Sequence, residues 1–280
     1  MELKLACADY TFPLLTHDQA IKLVALLGFR SMDIGLFEER SHLQPSHVLP
    51  HLAASARELS HKLADNGLDF AGIFYQTASF QSMSANHPDP AERARGRDFF
   101  LRMLEFTLRC NASHMTGLPG IEWDGVPSDT SLKRAADELS WRAEQARSVG
   151  VAFSVEAHVG SIAPTPQKAL ELVTLSPGLT LTLDYTHYAS RGYPDSDSEP
   201  LISHASHFHA RGARQGRLQA PFKENVIDYA RIVRTMKQVN YPGFVVIEYV
   251  WQDWEHNNEV DNVSETVMMR DHIIQSFNQE

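Results

Sequence analysis

Eight short apolar runs alternate with helical patterns along this chain, and no other feature restricts the fold as much. The runs are KLACADY (4–10), SMDIGLF (31–37), LDFAGIFYQ (68–76), HMTGLPG (114–120), AFSVEAHV (152–159), LTLTLDYTHY (179–188), SHFHARG (206–212) and FVVIEYV (244–250). Longer segments with apolar residues at helical spacing lie between them. In THDQAIKLVALLGF, Thr16 and Gln19 have capping-box spacing and Gly28 ends the helix. The faintest helical pattern is the one around 198–204, and YPDSDSEP (193–200) reads as a polar loop. Strands that alternate with helices must pair in parallel, because each return needs a crossover. Eight such units predict an α/β fold of the closed kind, a single (β/α)8 TIM barrel. An open doubly wound sheet usually carries a glycine-rich turn after its first strand, and CADYTFPLL has none.

Barrels of this kind reach the 280 residues of this chain as one domain, and no stretch has the composition of a flexible linker, so residues 1–280 are read as one unit. The formal net charge of −10 argues against a broad basic face that would wrap nucleic acid. Two cysteines, Cys7 and Cys110, are too few for a disulfide framework or a cysteine zinc site, and both are expected in the core. The start, MELKLACADY, lacks signal-peptide character, and no apolar run is long enough to span a bilayer. The expectation is a cytoplasmic protein with no nucleic-acid or membrane partner.

The last four runs share one property. Each is apolar and then carries a metal-capable residue near its end: Glu156, Asp184, His209 and Glu248. One carboxylate at a strand end is usually a cap or an ion-pair partner. Four such groups on consecutive strands are different, because the C-terminal ends of barrel strands converge. Three carboxylates brought together repel unless a cation holds them. Their oxygens plus one imidazole suit Mn²⁺, Mg²⁺ or Co²⁺, with Zn²⁺ less favoured by this mixture. The segment FSVEAHVGS (153–161) poses the same problem locally. Read as a strand, it buries Glu156 and His158 on one face, and a bound cation resolves the cost.

With these residues in view, the chain resembles the xylose isomerase-like barrel superfamily, in its branch of sugar isomerases and epimerases. VEAHVGS, LTLDYTHY, HFHARGARQG and YPGFVVIEY match the Glu-, Asp-, His- and Glu-bearing strands of that family. The resemblance implies that Glu156, Asp184, His209 and Glu248 ligate one divalent metal ion. It implies that His187, three residues after the aspartate, contacts substrate. Arg214, five residues after His209, lies where family members place a substrate-binding arginine. His158 departs from the ketose epimerases and is shared with dehydratase-like relatives. The nuclease branch uses further ligands and a basic face, neither of which is apparent. The family likeness also implies a homo-oligomer, dimer or tetramer.

The chemistry follows from an α-hydroxy ketone substrate. A metal polarises the carbonyl and acidifies the neighbouring C–H. Glu156 and Glu248, on opposite sides, remove and return the proton through a metal-bound enediolate, which gives epimerisation or isomerisation. His187 and Arg214 would steady the developing oxyanion, and His158 either contacts substrate or orients a ligand. Arg211, Arg214, Arg217 and Lys223 form a local basic cluster that either faces solvent or recognises a carboxylate or phosphate. In the second case the substrate is a sugar acid or sugar phosphate. A metal-dependent lyase, decarboxylating or dehydrating an oxidised sugar or 3-oxo sugar acid, is the alternative. A binding barrel without turnover is the third. Asp9, Tyr10, Asp33, Tyr75 and Gln76 at the early strands either cap and pack or line the pocket, the former being the ordinary role, and Trp123, Trp251 and Trp254 are expected to face sugar or a subunit.

Overall fold

Each apolar run forms a strand in the computed structural model, which describes residues 1–279, Glu255 by its backbone alone. The strands are β1 (Lys4–Ala8), β2 (Ser31–Phe37), β3 (Asp69–Gln76), β4 (His114–Gly117), β5 (Ala152–Glu156), β6 (Thr180–Asp184), β7 (Ala205–Ala210) and β8 (Phe244–Ile247). They pair in parallel in chain order, and β1 pairs with β8 to close the barrel. The helices are α1 (His17–Leu26), α2 (Pro45–Val48), α3 (Leu52–Asp65), α4 (Pro90–Arg109), α5 (Ser128–Ser148), α6 (Pro166–Leu175), α7 (Thr186–Ala189), α8 (Asp195–Ser198), α9 (Tyr229–Gln238) and α10 (Asn262–Asn278). The fold is a (β/α)8 TIM barrel. No helix among the described residues is long and apolar enough to cross a membrane.

Local chemistry starts and stops these elements. Thr16 and Gln19 make the full capping box on α1, and Gly28 leaves that helix at φ +86°. Side chains of Asp89, Thr165 and Asp228 accept hydrogen bonds from the first turns of α4, α6 and α9. Three expected boundaries are corrected. The fifth strand ends at Glu156 and the sixth at Asp184, so His158 lies in a loop and His187 on α7. YPDSDSEP is not wholly a loop, since Asp195–Ser198 is a turn of helix that runs into a 3-10 segment, Glu199–His204. Its polarity conceals that role, because the buried anchors Leu201 and Ile202 lie only at its far end.

The main core lies between the strands and the helices, where Ile21, Leu59, Phe100, Leu139, Leu172 and Ile273 pack against outward-facing strand residues. Inside the barrel, Ala6, Ala8, Phe74 and Val246 fill one sector. The rest of the interior is polar. Thr116 Oγ1 lies 2.8 Å from Thr182 Oγ1, and His114 Nε2 lies 3.0 Å from Ser206 Oγ and 3.2 Å from Ser154 Oγ. His114 stacks on His207 with ring centroids 4.3 Å apart. Two register shifts serve this layer. One sets Met32 beside Phe70 but Asp33 beside Gly72, and the other sets Leu181 beside Ala205 but Thr182 beside His207. Each adds one residue to the longer strand, as β-bulges near active sites commonly do.

Gly72 is the packing constraint of the layer. A Cβ there would stand 2.7 Å from Asp33 Oδ1, 3.0 Å from His114 Nδ1 and 3.2 Å from His207. Gly72→Ala should therefore destabilise the protein by about 1–3 kcal/mol, the usual cost of overpacking a close-fitted core. Urea unfolding compared with wild type measures it, and an unchanged midpoint would show that this layer can give way.

Candidate metal centre

The four predicted ligands come together at the C-terminal mouth of the barrel. Glu156 is the last residue of β5 and Asp184 the last of β6, His209 is next to last in β7, and Glu248 follows β8 directly. Alternation along a strand turns these positions inward together with Thr182 and His207 below them. Nδ1 of His209 lies 2.9 Å from Glu156 Oε1 and 3.0 Å from Glu248 Oε2. Glu156, His209 and Glu248 each offer a donor atom within 4.8 Å of the others, and so do Glu156, Asp184 and His187. All these side chains are buried.

The electrostatics of the cluster are those of crowded acids. Burial, reinforced by Glu248 and Asp184, pushes Glu156 up to about 7 despite its bond to His209. Burial also raises Asp184, although Arg211 opposes it. Burial would raise Glu248 too, but His209 and Arg211 outweigh it and hold that carboxyl below its ordinary value. For His209, burial alone would favour the neutral ring, yet Glu248, Asp33 and Glu156 raise it well above the ordinary imidazole value. Protons are thus shared among groups that titrate together. Glu248 Oε2 is buried and has no aligned hydrogen-bond donor. Three carboxylates, one of them with an orphaned buried oxygen, and one imidazole fit a hard divalent cation.

Asp33 completes the arrangement, whereas the sequence favoured a capping or packing role for it over a place lining the pocket. It is wholly buried, and its Oδ2 lies 3.3 Å from Nε2 of His209 and from Nε2 of His207. Burial alone would raise its carboxyl, but His207 and His209 hold it well below the usual carboxylate range. An ionised Asp33 keeps the proton of His209 on Nε2 and turns Nδ1 toward Glu156 and Glu248, the orientation that metal-binding histidines generally receive from a carboxylate.

A cavity of about 550 Å³ opens above the cluster, lined by Tyr10, Arg40, Phe74, Gln76, Phe80, His158, His187, Arg211, Trp251 and Trp254, among others. His187 accepts a hydrogen bond from the Val159 N–H at Nδ1, 3.4 Å away, so Nε2 carries its proton. That Nε2 points at Asp184 Oδ2, 3.6 Å away, and Glu156 Oε2, 3.9 Å away. His158 donates from Nδ1 to the Val159 carbonyl at 2.7 Å, which leaves its Nε2 a lone-pair acceptor. Burial pushes it down to about 4.

Arg214 is not brought to the cavity. It is half-exposed and pairs with Glu224 at 2.9 Å. Arg211 lies there instead, buried and bonded from Nη2 to Asp184 Oδ2 at 3.0 Å. The strand alternation 207, 209, 211 was the available signal for it, since β7 carries its inward face to His209 and the chain continues from there. Arg217 pairs with Glu259 at 2.9 Å. Trp251 and Trp254 line the cavity, while Trp123 donates its indole N–H to Asn86 Oδ1 at 3.0 Å. Asp9 accepts from the Gly35 N–H at 2.8 Å, a bracing role. Cys7 and Cys110 are buried free thiols.

A family model described as xylose isomerase-like TIM barrel matches residues 21–271. The structure superposes on D-psicose 3-epimerase from Clostridium cellulolyticum H10, solved with D-tagatose, with a TM-score of 0.78 and 18% identity over 99% of this chain and 100% of that one. An L-ribulose 3-epimerase matches with a TM-score of 0.75 and 16% identity over 99% of this chain and 95% of that one. The probable 3-DHS dehydratase AsbF from Bacillus anthracis matches with a TM-score of 0.70 and 13% identity over 96% and 99%. At such identities the likeness is one of fold. No curated protein matches the sequence.

The protonation of the cluster has a measurable consequence. Without metal, Glu156 near 7 and a raised His209 hold protons that ligation must displace. The free site binds more protons than the loaded one, so affinity for Mn²⁺ should rise as pH rises through about 7 and fall below it. Calorimetry in two buffers of different ionisation enthalpy should show proton release on binding. Asp33→Asn should lower Mn²⁺ affinity by about 10–100-fold. Affinity independent of both pH and Asp33 would contradict the ligand assignment.

Proposed function

The chain belongs to the xylose isomerase-like TIM barrel family, and from that premise we propose that it is a divalent-metal-dependent isomerase or epimerase of a keto sugar or sugar derivative. The observation that carries this reading is the approach of Glu156 and Glu248 to one imidazole nitrogen from different strands, at 2.9 and 3.0 Å. Two carboxylates facing one point give a reacting carbon a proton acceptor on one side and a proton donor on the other.

Glu156, Asp184, His209 and Glu248 would hold the ion, with Mn²⁺ or Mg²⁺ best suited to the donor set. The ion would supply polarisation of a substrate carbonyl, which acidifies the adjacent C–H. One of the two glutamates takes that proton. Return from the other glutamate to the opposite face inverts the centre, and return to the neighbouring carbon moves the carbonyl. His187 presents an Nε2–H to oxygen that becomes negative during the transfer. Arg211 stays on Asp184 and fixes that carboxylate. The indole rings of Trp251 and Trp254 offer apolar faces to sugar C–H groups and exclude water. On this reading residues 1–280 work as one barrel domain.

His158 supports a second reading, a metal-dependent lyase that dehydrates or decarboxylates an oxidised sugar. Its imidazole faces the cavity beside Glu156 and gives a departing group a nearby polar partner. It ranks second because His158, pushed down to about 4, accepts protons poorly and donates none at neutral pH.

Mn²⁺-loaded protein in D₂O, incubated with ketoses, sugar phosphates and 3-oxo sugar acids and followed by NMR, tests the choice. Deuterium at carbon in an intact skeleton is the expected result, and loss of water or CO₂ would select the lyase. Glu248→Gln should slow exchange by at least about 100-fold, the usual worth of a positioned acid or base. Near-normal exchange in that variant would sink the mechanism.

A further inference from the structure

The basic residues after β7 do not leave a free cation in the cavity, since Arg211, Arg214 and Arg217 each hold a carboxylate. Arg40 differs. It lies three residues beyond β2, on the loop toward α2, and lines the same cavity as Glu156 and Glu248. Its Nη2 donates to Gln76 Oε1 at the end of β3, and its guanidinium stands over the Phe37 ring, 5.7 Å from the centroid. No carboxylate lies within ion-pairing distance of it among the described residues. Burial lowers its proton affinity, with no acid acting in the other direction.

Such a placement is unusual in a chain with 35 acidic and 25 basic residues. Neighbouring groups desolvate Arg40 only in part and its side chain stays open to solvent, so what sets it apart is its position on the cavity wall with no described acid paired to it. Gln76 and Phe37 hold the guanidinium plane, while Nε and Nη1 have no hydrogen-bond partner among the described residues. A planar fork with a free edge is the geometry that binds a carboxylate or a phosphate through two parallel hydrogen bonds.

We infer that the substrate carries an anionic group, carboxylate or phosphate, and that Arg40 receives it. The inference rests on the proposed reading only in taking this cavity as the substrate site. Arg40 then acts as a specificity residue, held by the β2 and β3 ends and separate from the ligand-bearing strands β5 to β8.

The test is binding, not turnover. Affinities of a neutral ketohexose, its terminal phosphate ester and the corresponding uronate are measured by calorimetry on the metal-loaded protein, wild type, Arg40→Met and Arg40→Lys. Wild type should prefer an anionic form over the neutral one by at least about tenfold, as for hydrogen bonds to charged groups. The tighter of the two anions identifies the group. Arg40→Met should bring the preference to within about twofold, and Arg40→Lys should keep part of it. The preference should also shrink as salt is raised. Equal binding of all three compounds by wild type, binding of none, or a preference that persists in Arg40→Met would overturn the inference. An Arg40-dependent preference without deuterium exchange would overturn the proposed reaction while leaving the anion site standing.

Discussion

Burying three carboxylates around one imidazole is the constraint on which the rest of this barrel depends. Glu156, Asp184 and Glu248 are each almost without solvent, and charges there cost several kcal/mol apiece unless they are matched. The protein matches them unevenly. Arg211 holds Asp184, His209 lies between the two glutamates, and one oxygen of Glu248 is left without an aligned donor. The result is a site poised to take either protons or a cation. Burial above all raises Glu156, and the surrounding acids raise His209.

The polar interior beneath the site follows from the same need. Barrel interiors are ordinarily filled by branched apolar side chains in layers. Here one sector keeps that filling, with Phe74 and Val246, while another holds Asp33, His114, His207 and a set of hydroxyls. An imidazole at position 209 could turn either nitrogen upward. Asp33 decides which, and Asp33 needs partners of its own in the same layer. His207 supplies one, His114 stacks on His207, and the hydroxyls of Ser154 and Ser206 hold His114. Gly72 keeps this stack open because no side chain fits where Asp33 and both rings converge. The orientation of the His209 ring is thus secured by packing and hydrogen bonds in the layers beneath it.

The strands and the cluster of Glu156, Asp184, His209 and Glu248 at the barrel mouth were legible because both depend on periodicity. A strand buried on two faces reads as an apolar run, and a charged residue near its end stands out. What depended on register or on loops was not legible. Asp33 is one polar residue inside SMDIGLF, and the bulge that sets it opposite Gly72 leaves no mark in composition. His158 was assigned to the face of a strand that in fact stops at Glu156, so its contact with the cavity comes from a loop. The arginine near His209 was sought at 214, whereas the inward positions of β7 lead to 211 and the turn beyond carries 214 outward to Glu224. Arg40 sits in EERSH, a segment whose charge pattern resembles any solvated loop. Its place beside Gln76 comes from the pairing of β2 with β3, which sets Phe37 opposite Gln76.

The distribution of cations around the mouth separates two tasks that one charge type could have confused. Arg211 lies against Asp184 and shares the buried half of the cavity with the acids, so its charge is already committed to the ligand set. Burial works against that guanidinium's charge, but Asp184, Glu248 and Glu156 outweigh it and strengthen its hold on the proton. Arg40 lies on the early half of the barrel, where no described carboxylate comes within ion-pairing distance. A cation bound by acids steadies the machinery, whereas a cation held by an amide and a ring remains available to a ligand. Strands β5 to β8 therefore carry the groups suited to chemistry, and the ends of β2 and β3 carry the groups suited to recognition. A substrate that satisfied both would have to span the cavity, with its reacting carbon near Glu156 and Glu248 and its charge toward Arg40.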